Sequence, residues 1–112
     1  MIREWYLFID DIRNPAEVQS CWGGDPWIVA RSAEEALAAI QERGAPALIS
    51  YDHDMTDAHY GGDYSDGKTG ADIARAIARE IGPHAYQVHS LNPAAGHRIA
   101  DAIYLELQRR GA

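Results

Sequence analysis

Cysteine is all but missing from this chain: Cys21 stands alone among 112 residues, so no internal disulfide can form and a secreted fold stapled by cross-links is excluded. Long apolar runs are missing as well, and no basic segment leads an apolar stretch at the amino terminus. Neither a membrane span nor an export signal is expected, and a cytoplasmic address follows. Positive charge is scarce. Lys and Arg number 10 against 17 Asp and Glu, leaving a formal charge of -7 and a pI near 5.0, which speaks against a surface that grips nucleic-acid backbones nonspecifically. Zinc-ligand spacing, the phosphate-binding glycine loop of kinases and ATPases, the dinucleotide glycine fingerprint and a Gly-x-Ser-x-Gly elbow do not occur. Cys21 sits before Trp22-Gly23-Gly24 with no histidine close in sequence, so it reads as structural rather than nucleophilic.

What is present is an ordinary globular composition, 46% hydrophobic and 24% charged, sized for one domain over residues 1–112. Tyr6-Leu7-Phe8-Ile9, Trp27-Ile28-Val29-Ala30, Ala47-Leu48-Ile49-Ser50-Tyr51 and Tyr86-Gln87-Val88 read as strands that alternate with helix signals. Asn14-Pro15-Ala16-Glu17 starts a short helix that Gly23-Gly24 and Pro26 must end soon after Ser20-Cys21-Trp22. Ser32 with Glu35, and Thr69 with Asp72, have the spacing of capping boxes. Behind the second box Ile73, Ile77 and Ile81 repeat every fourth residue until Gly82-Pro83, and Asn92-Pro93 opens a last helix with Ile99, Ile103 and Leu107 inward. Strands apolar on both faces and alternating with helices imply a parallel sheet covered on both sides, with every strand's carboxyl end on one rim.

The polar residues collect on that rim. Asp10-Asp11 follow the first strand, Asp52-His53-Asp54 the third, and His89-Ser90 with Asn92 the last. Asp10, Asp11 and Asp52 form an oxygen-rich set suited to Mg2+ or Mn2+, whereas Asp11 alone also reads as a turn residue or a partner of Arg13. His53 reads either as a support for Asp52 or as a general acid or base flanked by carboxylates; His89 on another strand end favours the second reading, because two histidines can share the two proton transfers of a phosphodiester hydrolysis. Asp54 orients His53 or joins the metal. Ser90 and Asn92 form either an anion cradle with the last helix's N-H groups or only a turn and a cap, and Thr69 and Gly70 admit the same two readings. His59, His84 and His97 lack such company and are expected to face solvent.

Residues 55–68 form a connection longer than a usual strand-to-helix loop, rich in glycine and small polar residues. It reads equally as an active-site lid, with Tyr60 and Tyr64 stacking on a base or ribose and Lys68 meeting a phosphate, or as a mobile hairpin. Trp5, Trp22 and Trp27 suit either core or an aromatic patch, so oligomeric state stays open.

An acidic pair after the first strand, an aspartate after the third and a small hydroxyl after the fourth resemble a response-regulator receiver domain, here Asp10-Asp11, Asp52 and Ser90. The lysine-bearing fifth-strand unit of receivers is not found, and His53 and His89 depart from the pattern. The chain more closely resembles the cyclic-phosphate processing receiver domain family. The shared segments are Leu7-Phe8-Ile9-Asp10-Asp11-Ile12-Arg13 with Pro15, Trp27, Ala30-Arg31-Ser32 with Glu35-Ala36, and Ile49-Ser50-Tyr51-Asp52-His53-Asp54. They continue through Thr69-Gly70-Ala71-Asp72 and Val88-His89-Ser90 with Asn92-Pro93 and Gly96. The resemblance implies a truncated receiver or flavodoxin-like α/β three-layer sandwich, with a four-stranded parallel sheet of order 2-1-3-4 and flanking helices. It also implies metal-assisted hydrolysis of a cyclic phosphate on a nucleotide, an ADP-ribose derivative or an RNA end. The expected roles are metal ligation by Asp10, Asp11 and Asp52, catalysis by His53, His89 and Asp54, and substrate binding by Arg13, Lys68, Thr69, Gly70, Ser90 and Asn92. The rival readings are a non-enzymatic, metal-dependent nucleotide or phosphate sensor and an aspartyl-phosphate receiver. No membrane partner is expected.

Overall fold

The computed structural model describes residues 4–18 and 26–111. Ser20, Cys21, Trp22, Gly23 and Gly24, and with them the expected end of the first helix, lie outside the described residues. The elements are β1 (Tyr6–Ile9), a 3-10 turn (Pro15–Glu17), β2 (Trp27–Ala30), α1 (Ala33–Arg43), β3 (Leu48–Tyr51), α2 (Asp57–Tyr60), α3 (Gly70–Ile81), β4 (Tyr86–Val88) and α4 (Ala95–Gly111). All strand pairs are parallel and the sheet order is β2-β1-β3-β4, a receiver or flavodoxin-like arrangement with flanking helices. No helix among the described residues is long and apolar enough to cross a membrane.

Period-two alternation sorts the strand residues between two faces. Leu7, Ile9, Ala30, Ile49 and Tyr51 point into the main core, where Ala36 and Ile40 of α1, Ile73 and Ile77 of α3, and Ile99 and Ile103 of α4 meet them. Each fully buried isoleucine here contributes on the order of 2 kcal/mol of hydrophobic stabilisation. On the opposite face Phe8 packs with Val18, Trp27 and Val29. Trp5 belongs to the main core and Trp27 lies half-buried on the second face.

Local chemistry sets the helix ends. Ser32 Oγ accepts from Glu35 N at 3.2 Å, and the Glu35 carboxylate accepts from Arg31 N, one residue before the cap. Thr69 and Asp72 form the reciprocal box, with Asp72 N donating to Thr69 Oγ1 and Thr69 N donating to Asp72 Oδ2. The last helix begins at Ala95, later than Asn92-Pro93 suggests, because Asn92 Oδ1 accepts from Ala94 N and makes a turn of its own first. The 55–68 connection contains one helical turn, α2, capped by Thr56.

Candidate active site

Register builds the site. Ile9, Tyr51 and Val88 lie side by side across β1, β3 and β4, so the next residue on each strand, Asp10, Asp52 and His89, forms a row just beyond the sheet. Backbone bonds extend the ladder to them: Asp52 N donates to Ile9 O at 2.9 Å and His89 N donates to Tyr51 O at 2.9 Å. By alternation all three side chains project from the Phe8 face, and one donor atom from each lies within 4.8 Å of the others. His53, one residue further, must project from the other face.

Asp10 is almost fully enclosed. Its Oδ1 accepts from Ile12 N at 2.9 Å and Arg13 N at 2.8 Å, while Oδ2 accepts from Arg13 Nε and His89 Nε2, both at 3.0 Å. Burial pushes its pKa up, but the His89 contact, the two backbone N-H groups and the Arg13 charge together hold it down at about 2. Asp52 has the opposite fate. Burial first, and then the negative charge of Asp10, push its pKa up to about 7; His53 N at 2.8 Å and Arg13 at 3.8 Å only partly offset this. Burial also depresses the His89 pKa, only partly countered by Asp10, which favours the neutral imidazole. The charged Asp10 can only accept, which puts the ring proton on Nε2 and leaves Nδ1 to accept from Ser50 Oγ at 2.7 Å. Gln87 Nε2 in turn donates to Ser50 Oγ at 3.1 Å, and Phe8 stacks on the ring with centroids 4.4 Å apart.

His53 belongs to a separate network. Its Nε2 accepts from Arg98 Nε at 2.9 Å, and a guanidinium has no acceptor, so the ring proton sits on Nδ1 and is donated to Asp54 Oδ1 at 2.8 Å. Arg98 also lies over the Tyr64 ring, 4.7 Å from its centroid, and the Tyr64 and His53 rings meet nearly at right angles. Asn92 Nδ2 donates to Tyr64 Oη at 2.7 Å and to Asp54 Oδ1 at 3.3 Å. Among the described residues Asp54 Oδ2 accepts no hydrogen bond.

A cavity of about 550 Å³ opens over these groups. Arg13, Asp52, Asp54, Ser90 and Asn92 supply its polar lining, and Ile12, Tyr60, Tyr64, Leu91 and Pro93 its apolar walls. Ile12 and Leu91 stand 67% and 88% exposed at the mouth, so the lining offers a charged base with greasy sides. Ser90 Oγ accepts from Asn92 N and shapes the turn there.

The expected site residues therefore divide. The structure brings Asp10 and Asp52 together with His89, while Asp11 turns to Tyr60, whose hydroxyl donates to its carboxylate at 2.9 and 3.2 Å. Burial raises the Asp11 pKa, with the Tyr60 bond opposing it. Among the described residues His53 and His89 share no hydrogen-bond partner. Thr69 is buried as the α3 cap, and Gly70 lies against the backbone of Asp52 and His53. Lys68 is exposed and lines a second cavity of about 410 Å³ with Arg31, Ser32 and Asp66.

Sequence reasoning did not single out Arg98, Ser50 or His59. Nothing local marks Arg98, which reaches His53 from a helix 45 residues away. Ser50 was legible from alternation, being two residues before Asp52 on one strand face. His59 corrects an expectation of solvent exposure: it is 1% exposed, its Nδ1 accepts from Met55 N at 2.7 Å and its Nε2 donates to Asp66 Oδ1 at 2.7 Å, pinning the 55–68 loop. His84 is half-buried, donating to Gly82 O and accepting from Tyr51 Oη, whereas the His97 ring is exposed as expected.

A divalent cation fits the donor set. Two ligands on adjacent corners of an octahedron with bonds of about 2.1 Å lie about 3.0 Å apart, and the Asp10 Oδ2 to His89 Nε2 separation is 3.0 Å. Asp52, 4% exposed, accepts no hydrogen bond at Oδ2 among the described residues, so that atom is available to an ion.

Comparison with known proteins bears on the same row of residues. A solved structure titled as the trimeric coiled coil of yeast Spc42, amino acids 181–211, fused to another structure, is 17% identical with a TM-score of 0.56, covering 96% of this chain and 77% of that one. NtrX from Brucella abortus is 21% identical with a TM-score of 0.50, and the match covers 95% of this chain but only 28% of NtrX. At these identities the likeness is one of fold. A comparison with curated proteins gives no match. The profile of the family described as the cyclic-phosphate processing receiver domain matches residues 5–105, from the strand that delivers Asp10 to the helix that delivers Arg98, and the chain belongs to that family.

Proposed function

We propose that this chain is a metal-assisted phosphoesterase that opens a cyclic phosphate on a nucleotide, an ADP-ribose derivative or an RNA end. Family membership and the Asp10, Asp52 and His89 donor set support a metal-associated role in phosphate processing. The observation that carries the finer reading is the cavity beside that donor set, which combines Arg13, Asn92 and the lone oxygen of Asp54. When bound, a divalent cation supplies Lewis-acid stabilisation of charge growing on phosphate oxygens. Arg13 orients those oxygens, and the Ser90 hydroxyl adds a donor. Asp54 takes the proton of the attacking water at Oδ2, held in place by the Nδ1-H of His53, while the bond from phosphorus to one sugar oxygen breaks and that oxygen takes up a proton from solvent in the open cavity. His53 thus acts through Asp54, since both its ring nitrogens are engaged by protein groups. Apolar walls at Ile12 and Leu91 suit the flat face of a base.

Purified protein assayed against 2',3'-cyclic nucleotides and ADP-ribose cyclic phosphate, with and without divalent cation, is expected to give a linear phosphomonoester only when metal is present. Asp54→Asn is expected to lower turnover by about 100-fold or more. Turnover that survives both chelation and Asp54→Asn would overturn the reading. The full engagement of both histidine rings favours a second reading, a metal-dependent nucleotide sensor, which predicts saturable binding without product.

A further inference from the structure

The row Asp10, Asp52 and His89 carries one nitrogen among its oxygens, and that nitrogen has a consequence for which ion the row selects. We propose that His89 Nε2 is a direct ligand of the cation and that the site therefore takes Mn2+, Fe2+, Co2+ or Zn2+ in preference to Mg2+. The inference deepens the function proposed above and rests on it only for the presence of a divalent cation.

Three features of His89 distinguish it from a histidine that merely fills space. Its side chain is 0% exposed and lies flat on Phe8, so the ring plane is set by packing. Nδ1 is tied to Ser50 Oγ at 2.7 Å, so the ring cannot spin and Nε2 is aimed at the Asp10 carboxylate. A ligand histidine characteristically donates its second ring N-H to a fixed acceptor, and Ser50 Oγ stands where it can take that proton's hydrogen bond. Nε2 and Asp10 Oδ2 are 3.0 Å apart across their hydrogen bond, close enough for both to reach one ion, with Asp52 inside the same 4.8 Å group.

Ligation requires the Nε2 proton to leave and one to be taken up at Nδ1, so the imidazole stays neutral. Ser50 Oγ then changes from donor to acceptor towards the ring, a switch open to a hydroxyl, which rotates and has two lone pairs. Arg13 Nε, which shares Asp10 Oδ2 with His89, gives up that contact to the ion. Mg2+ strongly prefers oxygen and keeps its waters, whereas imidazole favours the later divalent ions, with Mn2+ the weakest of them. An all-carboxylate row would carry a weaker bias.

The test is calorimetric titration of chelator-treated protein with Mg2+, Mn2+ and Co2+, together with pulsed electron paramagnetic resonance of the Mn2+-loaded chain. Expected are one site per chain, Mn2+ and Co2+ binding tighter than Mg2+ by about tenfold or more, and an imidazole nitrogen coupling at manganese. His89→Gln, which offers an amide oxygen of similar reach, is expected to abolish the coupling and bring the Mn2+ to Mg2+ ratio towards parity. Should that variant fail to fold, nitrogen NMR of the Zn2+-loaded wild-type chain decides: metal on His89 Nε2 with the proton on Nδ1 supports the inference. Equal Mg2+ and Mn2+ affinity, or a His89 Nε2 that keeps its proton with metal bound, overturns it. Tight nitrogen-ligated Mn2+ without turnover of any cyclic phosphate would instead defeat the phosphoesterase reading alone.

Discussion

Replacing Gly70 with alanine sets two physical rules against each other. Gly70 begins α3, and helix propensity alone favours alanine by up to about 1 kcal/mol. Space forbids it. A Cβ added there would stand 1.7 Å from the Asp52 carbonyl oxygen and 2.8 Å from both the Asp52 carbonyl carbon and the His53 Cα, where real Cβ contacts essentially never fall under 3.0 Å. The obstacle is backbone, so the start of α3 must retreat by about 1.3 Å from the end of β3. That retreat stretches the Gly70 N to His53 O hydrogen bond, now 2.8 Å, beyond useful length. Overpacking of this kind costs about 1–3 kcal/mol and the lost bond about 1 kcal/mol, so a net loss of about 1–3 kcal/mol is expected after the propensity gain. For a domain of this size that lowers Tm by about 4–12 °C. Because the clash falls on Asp52 and His53 themselves, cation affinity falls as well. Urea unfolding monitored by tryptophan fluorescence, with calorimetric metal titration of the folded variant, checks both effects. A Gly70→Ala chain at least as stable as wild type, with unchanged cation affinity, would refute the reasoning.

Three further outcomes are expected. Asp52 is raised to about 7 from an unfolded value of 3.8, so the folded metal-free chain holds a proton that the unfolded chain releases, and this group's stabilisation is lost as pH rises from about 4 through 7. Asp10, held at about 2, works with the opposite sign, its contribution present above 3.8 and lost as pH falls towards 2. Because the depressed His89 works against Asp52 over the same range, the thermal melts compared are metal-free wild type and Asp52→Asn, whose difference should decline between about pH 5 and 7; a difference without slope counts against the Asp52 assignment. Arg13→Gln removes a cation that competes for Asp10 Oδ2 and should tighten metal binding while weakening binding of a cyclic nucleotide; calorimetry showing both affinities lowered together would contradict this. Long-range nitrogen NMR should find His53 protonated on Nδ1, with that preference lost in Arg98→Met; a wild-type ring protonated on Nε2 would sink the Arg98 contact.

The parts of the site legible in sequence are those set by strand alternation. Asp10 and Asp52 each end an apolar strand, and the strand order inferred from the family pattern makes their strands neighbours, which parallel register then aligns. His89 was legible as a rim residue on the same grounds. Its partner was not: a histidine between Ser50 and Asp10 has the same sequence signature as one that faces substrate. His53 shows the reverse. Counting residues along β3 puts it on the face opposite Asp52, yet which group waits on that face depends on how α4 lies across the core. Arg98 comes from the first turn of that helix, and no periodicity in the sequence distinguishes it from a solvated arginine. The 55–68 loop was ambiguous for a similar reason. Its glycines suggest mobility, whereas the His59 and Asp66 bond that pins it, and the Tyr60 contact that ties it to Asp11, join residues through space.

By itself, then, the sequence determined the alternating strands and helices, their caps at Ser32 and Thr69, the parallel sheet and the acidic rim. These follow from the period of apolar residues and from chemistry within a few residues of each position. Tertiary structure decided which rim residues meet. Adjacent strands in register bring Asp10, Asp52 and His89 within reach of one ion, while Tyr60 takes Asp11 and Arg98 takes His53. The physical reason is that donor and acceptor partnerships act over about 3 Å, a distance that depends on the packing of whole elements against one another and leaves no mark in local sequence.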